Sequence, residues 1–226
     1  MEGGSVQVRI PGPFPDGLTV FETMRAEADG RIALWPLHLA RLRRGCAALG
    51  FPLDEARALA LLARLPRGQV LRARLAVDQV GALSLTHAPL PPNPALWRVV
   101  IARQRLDAGD PWLGIKSTHR PIYDAARAAL PPDSDEAILL NQAGQPCEGT
   151  ITSLFLDRGG VLLTPPLSAG LLPGVLRASL MAAGRAQEHA LTLDDLRGGG
   201  LFMGNALRGL IPARLTISPW GVDTFA

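Results

Sequence analysis

Between Gly17 and Trp35 the chain reads GLTVFETMRAEADGRIALW, with apolar and polar residues alternating on either side of Asp29-Gly30. A period of two broken by Asp-Gly predicts two β-runs joined by a hairpin turn. The period then changes. PLHLARLRRGCAALG places Leu39, Leu42, Cys46 and Leu49 on one helical face, with Pro36 suited to the first turn and Gly50 to the C-terminal cap. DEARALALLARL predicts a second helix capped by Asp54, and QVLRARLAV, GALSLTH and WRVVIA predict three strands, the first two as a hairpin. PLPPNPAL reads as a proline-rich connection.

RLDAGDPWLG has the composition of a join, which predicts two domains, residues 1–110 and 111–226. The second begins with IKST and continues with a helix around YDAARAAL. Strands follow in EAILLNQAGQPCEGTITSLFLDRGGVLLT, with turns at Ala143-Gly144 and Gly159-Gly160. LPGVLRASLMAAGRA predicts a helix, and LFMGNAL and ARLTIS close the chain as strands. Mixed helix and hairpin order, without strict strand–helix alternation, predicts an α+β protein.

With 226 residues, 47% of them hydrophobic, the chain is long enough to bury a sizeable core. It has no run of about 18 apolar residues, and MEGGSVQVRIPGPFP lacks the plan of a signal peptide, so the expectation is a cytoplasmic protein. Cys46 and Cys147 show neither metal-ligand spacing nor a disulfide framework and are expected to be reduced; no metal site is expected. The net charge is only +3, arginines are interspersed with acids, and aromatics make up 5%, which argues against nucleic-acid binding. Such a field suits a small anionic substrate or cofactor.

The chain holds 22 arginines and one lysine, Lys116. Arginine stays protonated, whereas a lysine amine can lose its proton and condense with a carbonyl. Glu148 opens the apolar run EGTITSLFL, where a carboxylate needs a donor or cation. Arg41 lies at the edge of an apolar helix face. LPGVLR sets Gly174 and Val175 at a helix N-terminus, which suits an anion, and MGNALRG surrounds Asn205-Ala206 with glycines that permit close backbone approach. An amine, an isolated acid, a helix N-terminus and an arginine are the parts that hold pyridoxal phosphate.

On VFETMR (Val20–Arg25), HLARL, IKSTHR, DEAILLNQAGQPCEGTITSLFL, LLTPPLSAGLLPGVLR and GNALRGLIP, the chain resembles the fold-type IV pyridoxal-phosphate enzymes. These include branched-chain and D-amino acid aminotransferases and aminodeoxychorismate lyases. The resemblance implies a smaller N-terminal α/β domain and a larger C-terminal, mixed β-barrel-like domain, with the cofactor between them, and a homodimer. It implies that Lys116 bonds to the cofactor and shuttles a proton, that Glu148 keeps the pyridine nitrogen protonated, and that Arg41 binds the phosphate with the backbone at Gly174-Val175 and Asn205-Ala206. Tyr123, the single tyrosine, is a candidate for the cofactor's phenolic oxygen.

The chain departs from the family pattern at Ser153, where Asn is usual, in its short start, and in LAVDQVGALSL, which lacks an Arg-Gly loop. GNALRGLIP is most similar to aminodeoxychorismate lyases, which implies release of 4-aminobenzoate and pyruvate from 4-amino-4-deoxychorismate in folate biosynthesis. An aminotransferase of the same fold and an inactive ligand-binding homologue are the alternatives. Arg25, Arg72, Arg74, Arg120 and Arg208 are candidates for the substrate's carboxylates, and Thr23 for lining its pocket.

Overall fold

The computed structural model describes residues 9–216. The chain divides into two compact units: residues up to Leu90 with Gly114–His119, and Pro91–Leu113 with the chain from Arg120 onward. The division differs from a single boundary after residue 110. Strand WRVVIA belongs to the second unit, and the segment carrying Lys116 belongs to the first.

In the first unit β1 (Thr19–Ala26), β2 (Leu71–Asp78) and β3 (Leu83–Pro89) form an antiparallel sheet in the order β1-β2-β3. Helices α1 (Trp35–Leu49) and α2 (Glu55–Leu62) lie between β1 and β2 in sequence. Pro36 sits in the first turn of α1, Gly50 caps it at φ 72°, and Asp54 caps α2 by accepting from Arg57 N, as the sequence predicts. Gly45 lets α1 lie close on β1, because a Cβ there would stand 2.8 Å from Val20 Cγ1.

The second run of the predicted first hairpin is not a strand. Ile32 makes one isolated bridge to Ala26, Leu34 turns at φ 56°, and α1 starts at Trp35. β2 takes the ladder instead, in register from Thr19↔Asp78 to Ala26↔Leu71. RIALW is too short to alternate as a strand and also deliver Pro36 to the helix start.

The second unit contains β4 (Trp97–Leu106), β5 (Glu136–Asn141), β6 (Pro146–Gly149), β7 (Ser153–Arg158), β8 (Val161–Thr164), β9 (Ala186–Glu188), β10 (Leu201–Asn205) and β11 (Gly209–Leu215). Its helices are α3 (Pro121–Ala128), α4 (Val175–Ala182) and α5 (Leu193–Arg197). The sheet runs β10-β11-β4-β5-β6-β7-β8-β9, and a further pairing of β10 with β7 closes six strands into a barrel. β4 pairs parallel with both β5 and β11, whereas β5–β6, β6–β7, β7–β10 and β10–β11 are antiparallel. This is the α+β fold that the element order predicts, with the mixed barrel that the family resemblance implies.

All six residues of β5 are buried. Ile138 and Leu140 join Val99, Ile101, Leu154, Met203 and Ile211 in one core, while Ala137 and Leu139 join Val100, Leu106 and Cys147 in another. A strand covered on both faces reads as a continuous apolar run, and AILL at the centre of β5 is one. β9 and α5 are not foreseen by the sequence pattern. Their apolar stretches are too short to show a period, although Thr192 and Asp195 form a capping box. Of ARLTIS, Ile217 and Ser218 lie outside the described residues.

Candidate active site

Lys116 is held against β1 by its backbone. Phe21 N donates to Lys116 O at 2.9 Å, Thr118 N to Thr19 O at 2.9 Å, and Val20 bridges Ser117, so Gly114–His119 lies along the strand edge. The amine extends over the Phe21 ring, with Nζ 4.9 Å from its centroid, and Arg74 Cζ lies 3.4 Å from the same centroid. A ring face attracts each cation.

Strand alternation explains what else shares that sheet face. Phe21, Thr23 and Arg25 stand opposite Ala76, Arg74 and Arg72, so Thr23, Arg25, Arg72 and Arg74 fall on the Phe21 side. Arg25 Nε is paired with Glu27 at 2.9 Å. Four of the sequence candidates and Lys116 are thereby brought to one face of the first unit.

The other face carries a buried ionic cluster. Glu22 and His38 are fully buried and Arg41 nearly so. Arg41 Nε donates to Glu22 Oε1 at 2.8 Å and Nη2 to Oε2 at 2.6 Å, while His38 Nδ1 lies 2.7 Å from Oε2. Burial acts to raise the Glu22 pKa, but the Arg41 charge and the hydrogen bonds from Arg41 and His38 outweigh it and hold it at about 2. The Arg41 guanidinium is thus fixed by a carboxylate that sequence reading did not single out. His38 lies three residues before Arg41 on α1, and that spacing was the available signal.

In the second unit, Glu148 is buried near the end of β6 and not at the start of the strand that follows, because EGTITSLFL breaks at Thr150–Thr152. Its Oε1 accepts from Tyr123 Oη at 2.6 Å and Leu172 N at 2.9 Å. The phenol of Tyr123 is therefore bonded to the carboxylate. Burial and the Glu148 charge push its pKa well above the ordinary tyrosine value.

Gly174 precedes α4 and Val175 opens it, with no side-chain cap at this N-terminus. A Cβ at Gly174 would fall on Ser153 Oγ, so Ser153 packs directly against the helix start. Asn205 closes the β10–β11 turn: Oδ1 accepts from Leu207 N and Arg208 N, and Nδ2 donates to Ile151 O at 3.2 Å. Ala206 lies within this turn.

Arg120 and Arg208 belong to the second unit, and Arg25, Arg72 and Arg74 to the first. Arg120 donates to Thr150 O and pairs with Asp124 at 3.1 Å, and Arg208 donates to Asn93 Oδ1 at 3.1 Å. Cys46 and Cys147 are buried free thiols, each pushed up to about 12 by burial, with the Glu148 charge adding at Cys147. Among the described residues no helix is long and apolar enough to cross a membrane.

The first unit thus offers a primary amine beside a cationic sheet face, and the second, taken by itself, offers a buried, hydrogen-bonded carboxylate and a helix N-terminus without a side-chain cap. The chain belongs to the class IV aminotransferase family, a family of pyridoxal-phosphate-dependent enzymes, whose sequence profile matches residues 19–215. It is similar to a solved Mesorhizobium loti protein provisionally named an amino-acid aminotransferase, with 41% identity and a TM-score of 0.82 over 88% of this chain and all of that one. It is also similar to the solved 4-amino-4-deoxychorismate lyase of Pseudomonas aeruginosa, with 26% identity and a TM-score of 0.75, covering 93% of this chain and 89% of the other. A Schizosaccharomyces pombe protein provisionally named an aminodeoxychorismate lyase is 26% identical over 202 residues, which are 84% of this chain and 87% of the relative.

Proposed function

We propose that the protein is a pyridoxal-phosphate-dependent 4-amino-4-deoxychorismate lyase that releases 4-aminobenzoate and pyruvate. The observation that carries this reading is the arginine-rich sheet face on which Lys116 lies. The substrate would be an amine bearing two carboxylates, and Arg72 and Arg74 offer two guanidinium groups to receive them. Arg25 is already offset by Glu27.

Bound pyridoxal phosphate would supply an electron sink conjugated to the substrate nitrogen. Lys116 would hold it covalently, Glu148 would face its pyridine nitrogen, and the first turn of α4, the Asn205-Ala206 turn and Arg41 would serve its phosphate. The Lys116 amine would serve as the base, taking the proton from the substrate ring carbon that bears the nitrogen. The electron pair so released leads to expulsion of enolpyruvate, which tautomerises to pyruvate, and the six-membered ring becomes aromatic. Glu22 keeps Arg41 oriented throughout, and Tyr123 and Leu172 N keep the Glu148 carboxylate oriented.

The 41% identity to the Mesorhizobium loti protein favours a second reading, amino-group transfer from an amino acid to a 2-oxo acid. Product analysis separates the two. With 4-amino-4-deoxychorismate the lyase gives pyruvate and 4-aminobenzoate in equal amounts and needs no 2-oxo acid. Turnover seen only with an amino acid and a 2-oxo acid together would overturn the lyase reading.

A further inference from the structure

The turn that follows Glu148 is built in an unusual way. Gly149 N donates to Thr152 O at 2.7 Å, and Glu148 pairs with Ser153, so between β6 and β7 the chain reverses tightly through Thr150 and Ile151. Such reversals favour residues that accept positive φ, typically Asn-Gly or Asp-Gly. Thr150 and Ile151 are β-branched, and neither has positive φ. Something other than turn propensity therefore folds this corner.

That group is Glu136, the fully buried first residue of β5. Its Oε1 accepts from Thr150 N at 3.0 Å, from Thr150 Oγ1, and from Arg127 Nη1 at 3.3 Å. Its Oε2 accepts from Ile151 N at 3.2 Å and Thr152 Oγ1 at 3.0 Å. A buried carboxylate needs this degree of satisfaction, and here it comes from the turn itself. Gly149 makes the approach possible: a Cβ there would stand 3.0 Å from Glu136 Cδ and 2.8 Å from Met203 Cε, and would fall on Thr152 Oγ1. The outer carbonyls are held too, Thr150 O by Arg120 and Ile151 O by Asn205.

We infer that Glu136 is a positioning residue whose buried carboxylate folds Gly149–Thr152 and so sets Glu148 at one end of the turn and Ser153, against Gly174, at the other. The folding of the turn stands on the contacts above, and its consequence for cofactor binding rests on the function proposed for this chain. A hydrogen bond to a charged group is strong enough that its loss reads out as about tenfold or more in local opening.

Tyr123 supplies a reporter that needs no cofactor, because it is the only tyrosine and is bonded to Glu148. The full-length protein carrying carbon-13 at tyrosine Cζ gives one signal. In Glu136→Gln, which keeps the size of the side chain and removes its charge, the Thr150 and Ile151 amides are expected to exchange at least tenfold faster, with the amides of α1 unchanged. The Tyr123 signal is expected to shift, and pyridoxal phosphate to bind at least tenfold more weakly. Thr152→Val, which removes a single donor, is expected to move the Tyr123 signal the same way by less, and it decides the matter if Glu136→Gln does not fold. Unchanged turn exchange, or faster exchange with the Tyr123 signal unmoved, would overturn the inference. If the parent protein bound no pyridoxal phosphate, the proposed function would fail, while the tyrosine signal would still decide whether Glu136 positions Glu148.

Discussion

Lys116 and Arg74 share the Phe21 ring, and their substitutions should separate chemistry from binding. Lys116→Ala is expected to lose about a thousandfold or more in kcat, because no other primary side-chain amine exists in the chain. Arg74→Ala is expected to raise KM about tenfold or more with a smaller change in kcat, the signature of a lost carboxylate contact, read from steady-state kinetics. Glu22 gives a pH prediction. Its folded-state pKa of about 2 lies below the ordinary 4.5, so its stabilisation is full above about 4.5 and is lost as pH falls toward 2. That contribution is on the order of 3 kcal/mol. Denaturant melts between pH 6 and about 2 should show the loss in the parent protein. Glu22→Gln should be less stable at neutral pH by about 3–5 kcal/mol, because it leaves Arg41 buried without its anion, and its stability should vary less over the acid range.

At the scale of elements, the start of α4 depends on the missing side chain at Gly174. Gly174→Ala drives a methyl group into Ser153 Oγ and is expected to cost about 1–3 kcal/mol, with weaker binding of pyridoxal phosphate, measured by thermal melts and by titration. The long periodic elements were legible in the sequence: α1 with Pro36 and Gly50, α2 with Asp54, and the β2–β3 hairpin all carry local signals that the structure repeats. The first hairpin was not, because Asp-Gly predicts a turn without saying which strand pairs beyond it. The Glu148 turn was not legible either, since its organiser lies 14 residues away in β5 and no local propensity marks it. Among the candidate site residues, Lys116 stands out in the sequence as its single lysine. The pairing of Arg41 with Glu22 and the stacking of Arg74 on Phe21 arise from strand register and helix placement, which composition and spacing do not encode.

At the scale of the molecule, the segment Gly114–His119 crosses back from the barrel unit to lie along β1, and this placement explains why one boundary drawn through a proline- and glycine-rich join misassigns the lysine. Family resemblance implies a homodimer, and light scattering is expected to give twice the mass of the chain. The proposed function requires Lys116 to carry pyridoxal phosphate. The most direct test is to reduce the protein, reconstituted with pyridoxal phosphate, with borohydride and map the adduct by mass spectrometry. One phosphopyridoxyl group per chain is expected, on Lys116, and none on Lys116→Ala. A protein that takes up no chromophore and no adduct, or an adduct confined to the N-terminal amine, would contradict it.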